Sequence, residues 1–201
     1  MDQSLRALFE PKVDPCMMSI LNSYFGFGKD IAKLLDDTET SDFTLKCGSK
    51  HFKVHKNILG ARSAVFRAMF QAGMREAVDG EAIIEDIDEK TLERILLYLY
   101  SGITSLVDCD ILALCKAADM YQLHPLMDLI TELLPGVKLK PGDIADIFIA
   151  AEMINRKKMY EFAIDQLKKK KGILKDKQFE EKLKQFPEVL YKITVAISTN
   201  D

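Results

Sequence analysis

Residues 51–70 read HFKVHKNILGARSAVFRAMF, and this stretch decides how the rest of the chain is interpreted. Its alternating start is typical of a strand, which leads into a short helical turn and then into a second helix. Ser63 stands where that helix begins, and its hydroxyl is suited to accept a hydrogen bond from the first turn. The residues that recur near helical spacing are Ala64, Val65, Ala68 and Met69. The stretch is therefore predicted to be a packed helical hairpin.

The composition is that of a soluble globular protein. The 201 residues are 48% hydrophobic and carry a formal net charge of −3, which is too small to steer the chain strongly toward nucleic acid or an anionic membrane. No apolar run reaches the roughly 20 residues needed to cross a bilayer, and the first residues show no signal-peptide pattern. The four cysteines are scattered, as expected of reduced thiols. We therefore expect a protein of the nucleus, the cytoplasm or both.

Residues 1–29 are expected to form an N-terminal arm that is either mobile or used for docking. Pro11 and Pro15 interrupt any helix, and the apolar residues around them fit no long period. Gly26 and Gly28 are then expected to break the chain. The short helix predicted after them carries the apolar residues Ile31, Leu34 and Leu35.

A small sheet is predicted before a long helical region. Residues 42–47 and 50–54 alternate with period two around a Gly-Ser turn, which indicates a β-hairpin. Residues 82–84 form a short apolar run suited to a third strand. Proline-glycine pairs at 135–136 and 141–142 mark the best boundary between two helical sets. The predicted helices cover residues 91–100, 109–121, 123–134, 141–153, 159–167, 179–186 and 189–197.

No pattern in the sequence favours an enzyme or a metal site. Cys47, His51 and His55 are possible metal ligands, but their even spacing on a hairpin leaves a fourth ligand unexplained. A structural role is favoured, with His55 at the corner between strand and helix. Nucleophile-elbow, phosphate-loop and dinucleotide motifs are absent from the sequence. The lysines at 168–171 are interpreted as the basic end of a helix, although a nuclear address stays open. We assign no catalytic residue, metal or cofactor.

Asp42 opens the first predicted strand and Lys56 follows the second, so both are expected at the base of the small sheet. An exposed ion pair there would contribute little to stability. The alternative is a partly desolvated pair at a subunit interface, where it would set orientation and specificity.

Four segments together resemble the BTB/POZ domain. They are residues 41–45, 52–70, 99–102 and 117–121, and the likeness covers residues 30–134. Within that family the chain is most similar to the speckle-type POZ group of MATH–BTB proteins. Residues 137–198 resemble the short helical extension of that group, a three-box or partial BACK domain. The resemblance implies an α+β fold, in which a small β-sheet is flanked by a helical cluster and followed by an all-α extension.

The resemblance also implies a function and its partners. A protein of this group is a non-catalytic adaptor that dimerises through one surface and docks cullin-3 through another, so that a ubiquitin ligase acts on the bound substrate. The hydrophobic-x-Glu cullin motif of the family falls on Met74 and Glu76, with Tyr121, in an exposed turn between helices, as a further contact. Helices near residues 144–154 would add to the cullin-facing surface. The implied dimer surface contains Ile31, Leu34, Leu35, Asp42, Lys56 and Ile58.

Two departures from the family pattern leave the function open. The residues before the hairpin are too few for a MATH β-sandwich of about 100 residues, and neither a kelch propeller nor a zinc-finger array follows. Either the chain is a fragment, or residues 1–25 or the C-terminal helices recruit an unknown protein substrate, or the chain is a regulatory paralogue. The alternative function is an oligomerisation module of a transcriptional or cytoskeletal regulator that engages no cullin. Neither hypothesis includes nucleic acid or a membrane as a partner.

Overall fold

The computed structural model describes residues 15–71, 75–170 and 172–198. Helices dominate these residues, and the strands are β1 (Phe43–Cys47), β2 (Lys50–Val54) and β3 (Glu81–Ile83). The helices are α1 (Pro15–Ala32), α2 (Lys56–Arg62), α3 (Ala64–Met69), α4 (Arg75–Asp79), α5 (Glu89–Ser101), α6 (Ile111–Met120), α7 (His124–Leu133), α8 (Pro141–Met153), α9 (Lys157–Lys169), α10 (Lys177–Lys184) and α11 (Pro187–Ser198). Short 3₁₀ turns occupy Lys33–Leu35, Leu134–Gly136 and Ile173–Lys175. This is the predicted α+β architecture, a small sheet with a helical cluster and a helical extension.

The sheet has three strands in the order β2-β1-β3. β1 pairs antiparallel with β2, with Leu45 opposite Phe52, and parallel with β3, with Leu45 opposite Ala82. The side chains of β1 alternate between buried and half-buried, as expected of a strand with one face on the core. Gly48 has a φ of 54° in the hairpin turn, a conformation that glycine adopts without steric cost. The predicted hairpin and third strand are both confirmed.

The stretch at residues 51–70 folds as the predicted strand followed by a packed helical hairpin. Ser63 precedes α3, and its hydroxyl accepts a hydrogen bond from the Phe66 N–H at 3.2 Å. The same hydroxyl donates to the Tyr121 carbonyl at 2.8 Å, which ties α3 to the end of α6. Phe66 is the fully buried residue of α3. Val65 and Met69 of the predicted apolar face are half-buried and pack against the edge of the core, whereas Ala64 and Ala68 are exposed.

Helix α1 runs from Pro15 to Ala32 without a break, so residues 15–29 are helical and Gly26 and Gly28 lie inside the helix. Pro15 is its first residue, a position where the missing N–H is not needed. At Gly28 the helix passes so close to α5 that a Cβ would lie 2.6 Å from the Ser101 carbonyl oxygen. Gly28 therefore permits close helix packing rather than a chain break. Residues 1–14 of the predicted arm lie outside the described residues.

Helix α8 lies at the centre of the C-terminal extension. It packs against α6, α9 and α10, and Ile144, Ile147 and Phe148 are fully buried. Asp146 is also buried and forms an ion pair with Lys182 of α10. Burial raises the pKa of Asp146, and the Lys182 ammonium partly opposes that shift. Because its neighbours cover these side chains, the expectation that residues 144–154 present a cullin-facing surface is wrong for the buried residues.

The described ranges contain neither a membrane-spanning helix nor a metal-binding cluster. Within them, no helix is long and apolar enough to span a bilayer. Over the same residues, no group of three histidine, cysteine, aspartate or glutamate side chains is placed to hold a metal ion.

Candidate protein-interaction surfaces

An open groove lies along α3, with a volume of about 390 Å³. We call it the α3 groove. Its lining consists of Ala64, Val65, Ala68, Met69, Glu76 and Gln122. The predicted apolar face of the opening stretch thus forms the floor of a surface groove, and Val65 and Met69 also pack against the edge of the core.

Aromatic packing on the other side of α3 explains why this groove stays open. The Phe66 ring stacks on the Tyr121 ring, with centroids 4.6 Å apart and planes 8° from parallel. Phe70 stacks on Phe66 in turn at 6.1 Å. A helix of only 6 residues can turn few side chains to each side, so orienting Phe66 inward leaves Val65 and Met69 half-buried at the edge of the core, where they line the groove. Gln122, with a φ of 55°, forms the opposite wall in the turn between α6 and α7.

The structure describes two of the three predicted cullin-binding residues, Glu76 and Tyr121. Met74 lies outside the described residues. Glu76 is half-buried in the first turn of α4 and lines the α3 groove. The fold therefore brings the predicted glutamate together with the opening stretch, although several residues separate them in sequence.

Tyr121 does not have the exposed position that was expected. Its side chain is only 4% exposed, and burial raises the pKa of its hydroxyl to about 12. The ring is held against Phe66, so a partner does not reach it without displacing that stack. The adjacent Gln122 faces the α3 groove instead. Sequence reasoning missed Gln122, since only the tertiary fold places this turn across from α3.

The apolar residues predicted for the dimer surface lie at the margin of the core. All four pack against core residues and remain partly exposed: Ile31, Leu34, Leu35 and Ile58. The 3₁₀ turn that carries Leu34 and Leu35 packs against α5, as α2 does. Partly buried aliphatic side chains in such positions are available to a partner subunit. Their role in dimerisation stays a prediction.

Helix α1 carries an exposed apolar face that the sequence did not predict. One side of α1 packs on α5, but several large apolar side chains on it are at least 41% exposed. They are Met17, Met18, Ile20, Leu21, Tyr24, Phe25 and Phe27. The expected break at the glycines hid this surface, because it divided the helix into an arm and a short turn. An apolar face of this extent is typical of a protein–protein contact.

Asp42 and Lys56 lie next to each other, but not as a charge pair. An oxygen of the Asp42 carboxylate accepts a hydrogen bond from the Lys56 backbone N–H at 2.8 Å, at the start of α2. The Lys56 Nζ lies 5.2 Å from the centroid of the Phe43 ring. Asp42 is exposed and Lys56 half-buried. The expected position at the base of the sheet is confirmed, whereas a desolvated pair at a subunit interface stays a prediction.

His55 occupies the corner between β2 and α2, as predicted, and is buried. Its Nδ1 lies 2.9 Å from the Tyr100 hydroxyl, and its Nε2 lies 2.9 Å from the Thr40 hydroxyl. The Thr40 hydroxyl in turn donates to Asp37 at 2.7 Å. Both ring nitrogens therefore have hydrogen-bond partners, which explains a structural role for this histidine.

Comparison with known proteins identifies the family. A profile of the BTB/POZ domain matches residues 31–137, more than half of the 201 residues. The chain belongs to the BTB/POZ family, a class of protein-interaction domains, and the family predicted from the four sequence segments is confirmed.

Two curated proteins with kelch in their names are similar to this chain. "Kelch repeat and BTB domain-containing protein 8" of Xenopus tropicalis is 27% identical over 143 residues, which are 71% of this chain and 23% of that protein. Human "Kelch-like protein 38" is 27% identical over 146 residues, 69% of this chain and 25% of that protein. The match thus spans about a quarter of the length of these curated relatives. The BTB domain of zebrafish PATZ1 is similar in structure, with a TM-score of 0.47 and 20% identity over 56% of this chain and 92% of that one.

Proposed function

We propose that this chain is a dimeric, non-catalytic BTB adaptor that binds cullin-3 and helps recruit a protein substrate for ubiquitination. The observation that carries the proposal is the α3 groove, where an apolar helix face is left open beside Glu76. An apolar floor with a carboxylate at its rim suits an inserted apolar side chain whose neighbouring backbone donates a hydrogen bond. The cullin motif that the family resemblance puts at Met74 and Glu76 includes a lining residue of this groove.

Dimerisation is the second part of the proposal. The exposed face of α1 and the half-buried residues of the 3₁₀ turn and α2 supply apolar surface on one protomer. In a two-fold dimer each such residue is used twice, so a modest patch covers a sizeable interface. A dimeric adaptor of this kind acts in the nucleus, the cytoplasm or both.

A second function is favoured by one observation. The exposed face of α1 suits association with another BTB chain whether or not the α3 groove is occupied. The alternative is therefore an oligomerisation module of a transcriptional or cytoskeletal regulator, or a regulatory paralogue, that engages no cullin.

Titration of the full chain with the N-terminal domain of cullin-3, followed by calorimetry, separates the two functions. Val65→Asp places an unpaired charge on the groove floor, and we expect affinity to fall at least roughly a hundredfold. Met74→Asp is expected to abolish binding on the basis of the sequence motif. Val107→Asp makes the same chemical change at a residue that is 68% exposed and outside the groove, so its affinity should match the wild type. If the wild type does not bind cullin-3, the adaptor hypothesis is contradicted and the second function is favoured. Binding that Val65→Asp and Met74→Asp leave unchanged, in variants that light scattering shows to be intact dimers, would place the cullin site outside the α3 groove.

A further inference from the structure

The hydrogen-bond pattern of the sheet leaves one edge open. The Thr44 N–H donates to the Gly80 carbonyl and the Ile84 N–H donates to the Lys46 carbonyl, so the main chain of Thr44 and Lys46 faces β3. Main-chain groups of successive residues in a strand point to opposite sides. Residues 43, 45 and 47 of β1 therefore face β2, where their partners in the register are residues 54, 52 and 50.

Two residues of β2 consequently point their main-chain groups away from the sheet. They are His51 and Lys53, whose side chains are exposed. β2 is the end strand of the three described strands, and in the described part of the chain no backbone group pairs with this outward side. Unpaired N–H and C=O groups of this kind are the template on which an added strand forms.

A groove runs beside this edge, with a volume of about 440 Å³. We call it the β2 groove. Its apolar part is made by Leu35 of the 3₁₀ turn, Phe52 of β2 and Leu96 of α5. The remaining lining residues are Asp36, Thr38, His51, Lys53 and Glu93. The groove thus lies on the inward side of the edge strand, where alternate side chains of an added strand would enter it.

The charges differ between the two faces of this edge. On the outer face, Lys53 donates to the Thr44 hydroxyl at 3.0 Å, and His51 lies opposite Lys46 in the neighbouring strand. On the inner face, Asp36 and Glu93 line the β2 groove, and Glu93 is ion-paired with Lys50 at 2.6 Å. A strand added here therefore meets cationic and imidazole side chains outside. Inside, it meets apolar surface, the Asp36 carboxylate and the neutralised Lys50–Glu93 pair.

We propose that the β2 edge and its groove bind an extended segment of a partner protein in which acidic and apolar residues alternate. Apolar side chains enter the β2 groove, where the Asp36 carboxylate disfavours acids, and acidic side chains face His51 and Lys53 on the outside. A second copy of this chain suits the edge less well, because edge-to-edge pairing would bring the same basic side chains together. This surface shares no lining residue with the α3 groove, so its function does not depend on cullin binding. It shares Leu35 with the predicted dimer surface.

The first test measures fluorescence anisotropy of the full chain with a fluorescein-labelled, acetylated peptide of alternating glutamate and valine. Lys53→Pro removes the outward N–H and no ladder bond, since proline is tolerated on the free side of an edge strand. We expect it to weaken binding roughly tenfold, and Lys53→Glu to weaken it further by reversing the charge. Lys138→Glu reverses a charge at an exposed residue outside the β2 groove and should bind as the wild type does.

A second test needs no protein variant, so it holds even if Lys53→Pro unfolds the chain. If the peptide adds antiparallel to β2, the peptide residues directly opposite His51 and Lys53 form the main-chain hydrogen bonds to them and lie on the same outer face of the sheet. The acidic residues of the peptide face outward in this proposal, so these hydrogen-bonded residues are the glutamates. Methylating the glutamate amides should then abolish binding, whereas methylating the valine amides should preserve it. The reverse pattern would support parallel addition to the same edge.

Three results would overturn the proposal. The first is that the peptide does not bind. The second is that methylating the glutamate amides and methylating the valine amides change the affinity equally, or that neither changes it. The third is self-association in light scattering that Lys53→Pro removes, which would assign the edge to a second copy of the chain.

Discussion

Helices α8 and α3 are both apolar in sequence, but α8 is buried in the core and α3 lies at the surface. α8 is surrounded by α6, α9 and α10, and Ile144, Ile147 and Phe148 are fully buried. α3 buries Phe66 and leaves Val65 and Met69 along an open groove. The apolar content of a helix therefore predicts that one of its faces is buried. Whether the protein itself or a binding partner buries that face depends on how many elements of the fold lie next to the helix.

The largest effect that we expect tests the buried side of this comparison. Phe148→Ala should lower the free energy of unfolding by about 3–5 kcal/mol, because it removes a fully buried ring that contacts Tyr160 and Phe179 and leaves a cavity. Chemical denaturation measures this loss. Val65→Ala, in the open groove, is the matched control and should cost less than about 1 kcal/mol. Similar losses in both variants would show that α3 is as covered as α8.

The exposed face of α1 provides the next test. Phe25→Glu is expected to give folded monomers in light scattering, since a two-fold interface places the charge twice in apolar surface. The sequence-derived surface predicts the same for Leu34→Asp combined with Ile58→Asp. Phe25 is 54% exposed, so the thermal unfolding of its monomer should stay cooperative. Dimers that persist in both variants would place the interface elsewhere.

Two glycines of α1 lie in different surroundings: Gly28 lies against α5, and Gly26 faces open space. Gly28→Ala should destabilise the chain by about 1–3 kcal/mol, because the added Cβ would lie 2.6 Å from the Ser101 carbonyl oxygen. Gly26 has no atom within 4 Å of such a Cβ, so Gly26→Ala should stabilise the helix by up to about 1 kcal/mol. Thermal melts of the two variants should therefore shift in opposite directions. Equal shifts would mean that α1 does not pack closely at Gly28.

The smallest expected effect concerns the charge buried beside α8. Burial raises the pKa of Asp146 above its ordinary value of 3.8, so the folded chain holds that proton more tightly than the unfolded chain. The stabilisation from protonated Asp146 is complete below that ordinary value and is lost as pH rises through the raised pKa. Asp146→Asn should remove this contribution to the pH dependence, as followed by urea denaturation at several pH values. An identical pH profile in both proteins would contradict the shift.

Local patterns predicted most elements of the fold, and the errors have physical causes. Period-two alternation and turn residues located the hairpin, and helical spacing located α5 to α11 to within a few residues. The glycines of α1 were misinterpreted because a missing side chain weakens a helix in isolation but also permits close packing. The family resemblance put Tyr121 in an exposed turn between two helices, yet a ring stack with Phe66 buries it.

The candidate sites were predictable only in part. The sequence motif indicated Glu76, but it did not indicate that Glu76 faces Val65, Met69 and Gln122 across one groove. Nor did alternation in β2 show which main-chain groups stay unpaired, because that depends on the strand order and on a parallel partner from residues 81–83.

By itself, the sequence determined most element types, the Ser63 cap and the family, because capping, periodicity and turn chemistry act over a few neighbouring residues. Only the tertiary structure decided which apolar faces are covered, since burial depends on elements distant in sequence. That is why residues 51–70, predicted to form a packed hairpin, supply both the floor of the α3 groove and the open edge of β2.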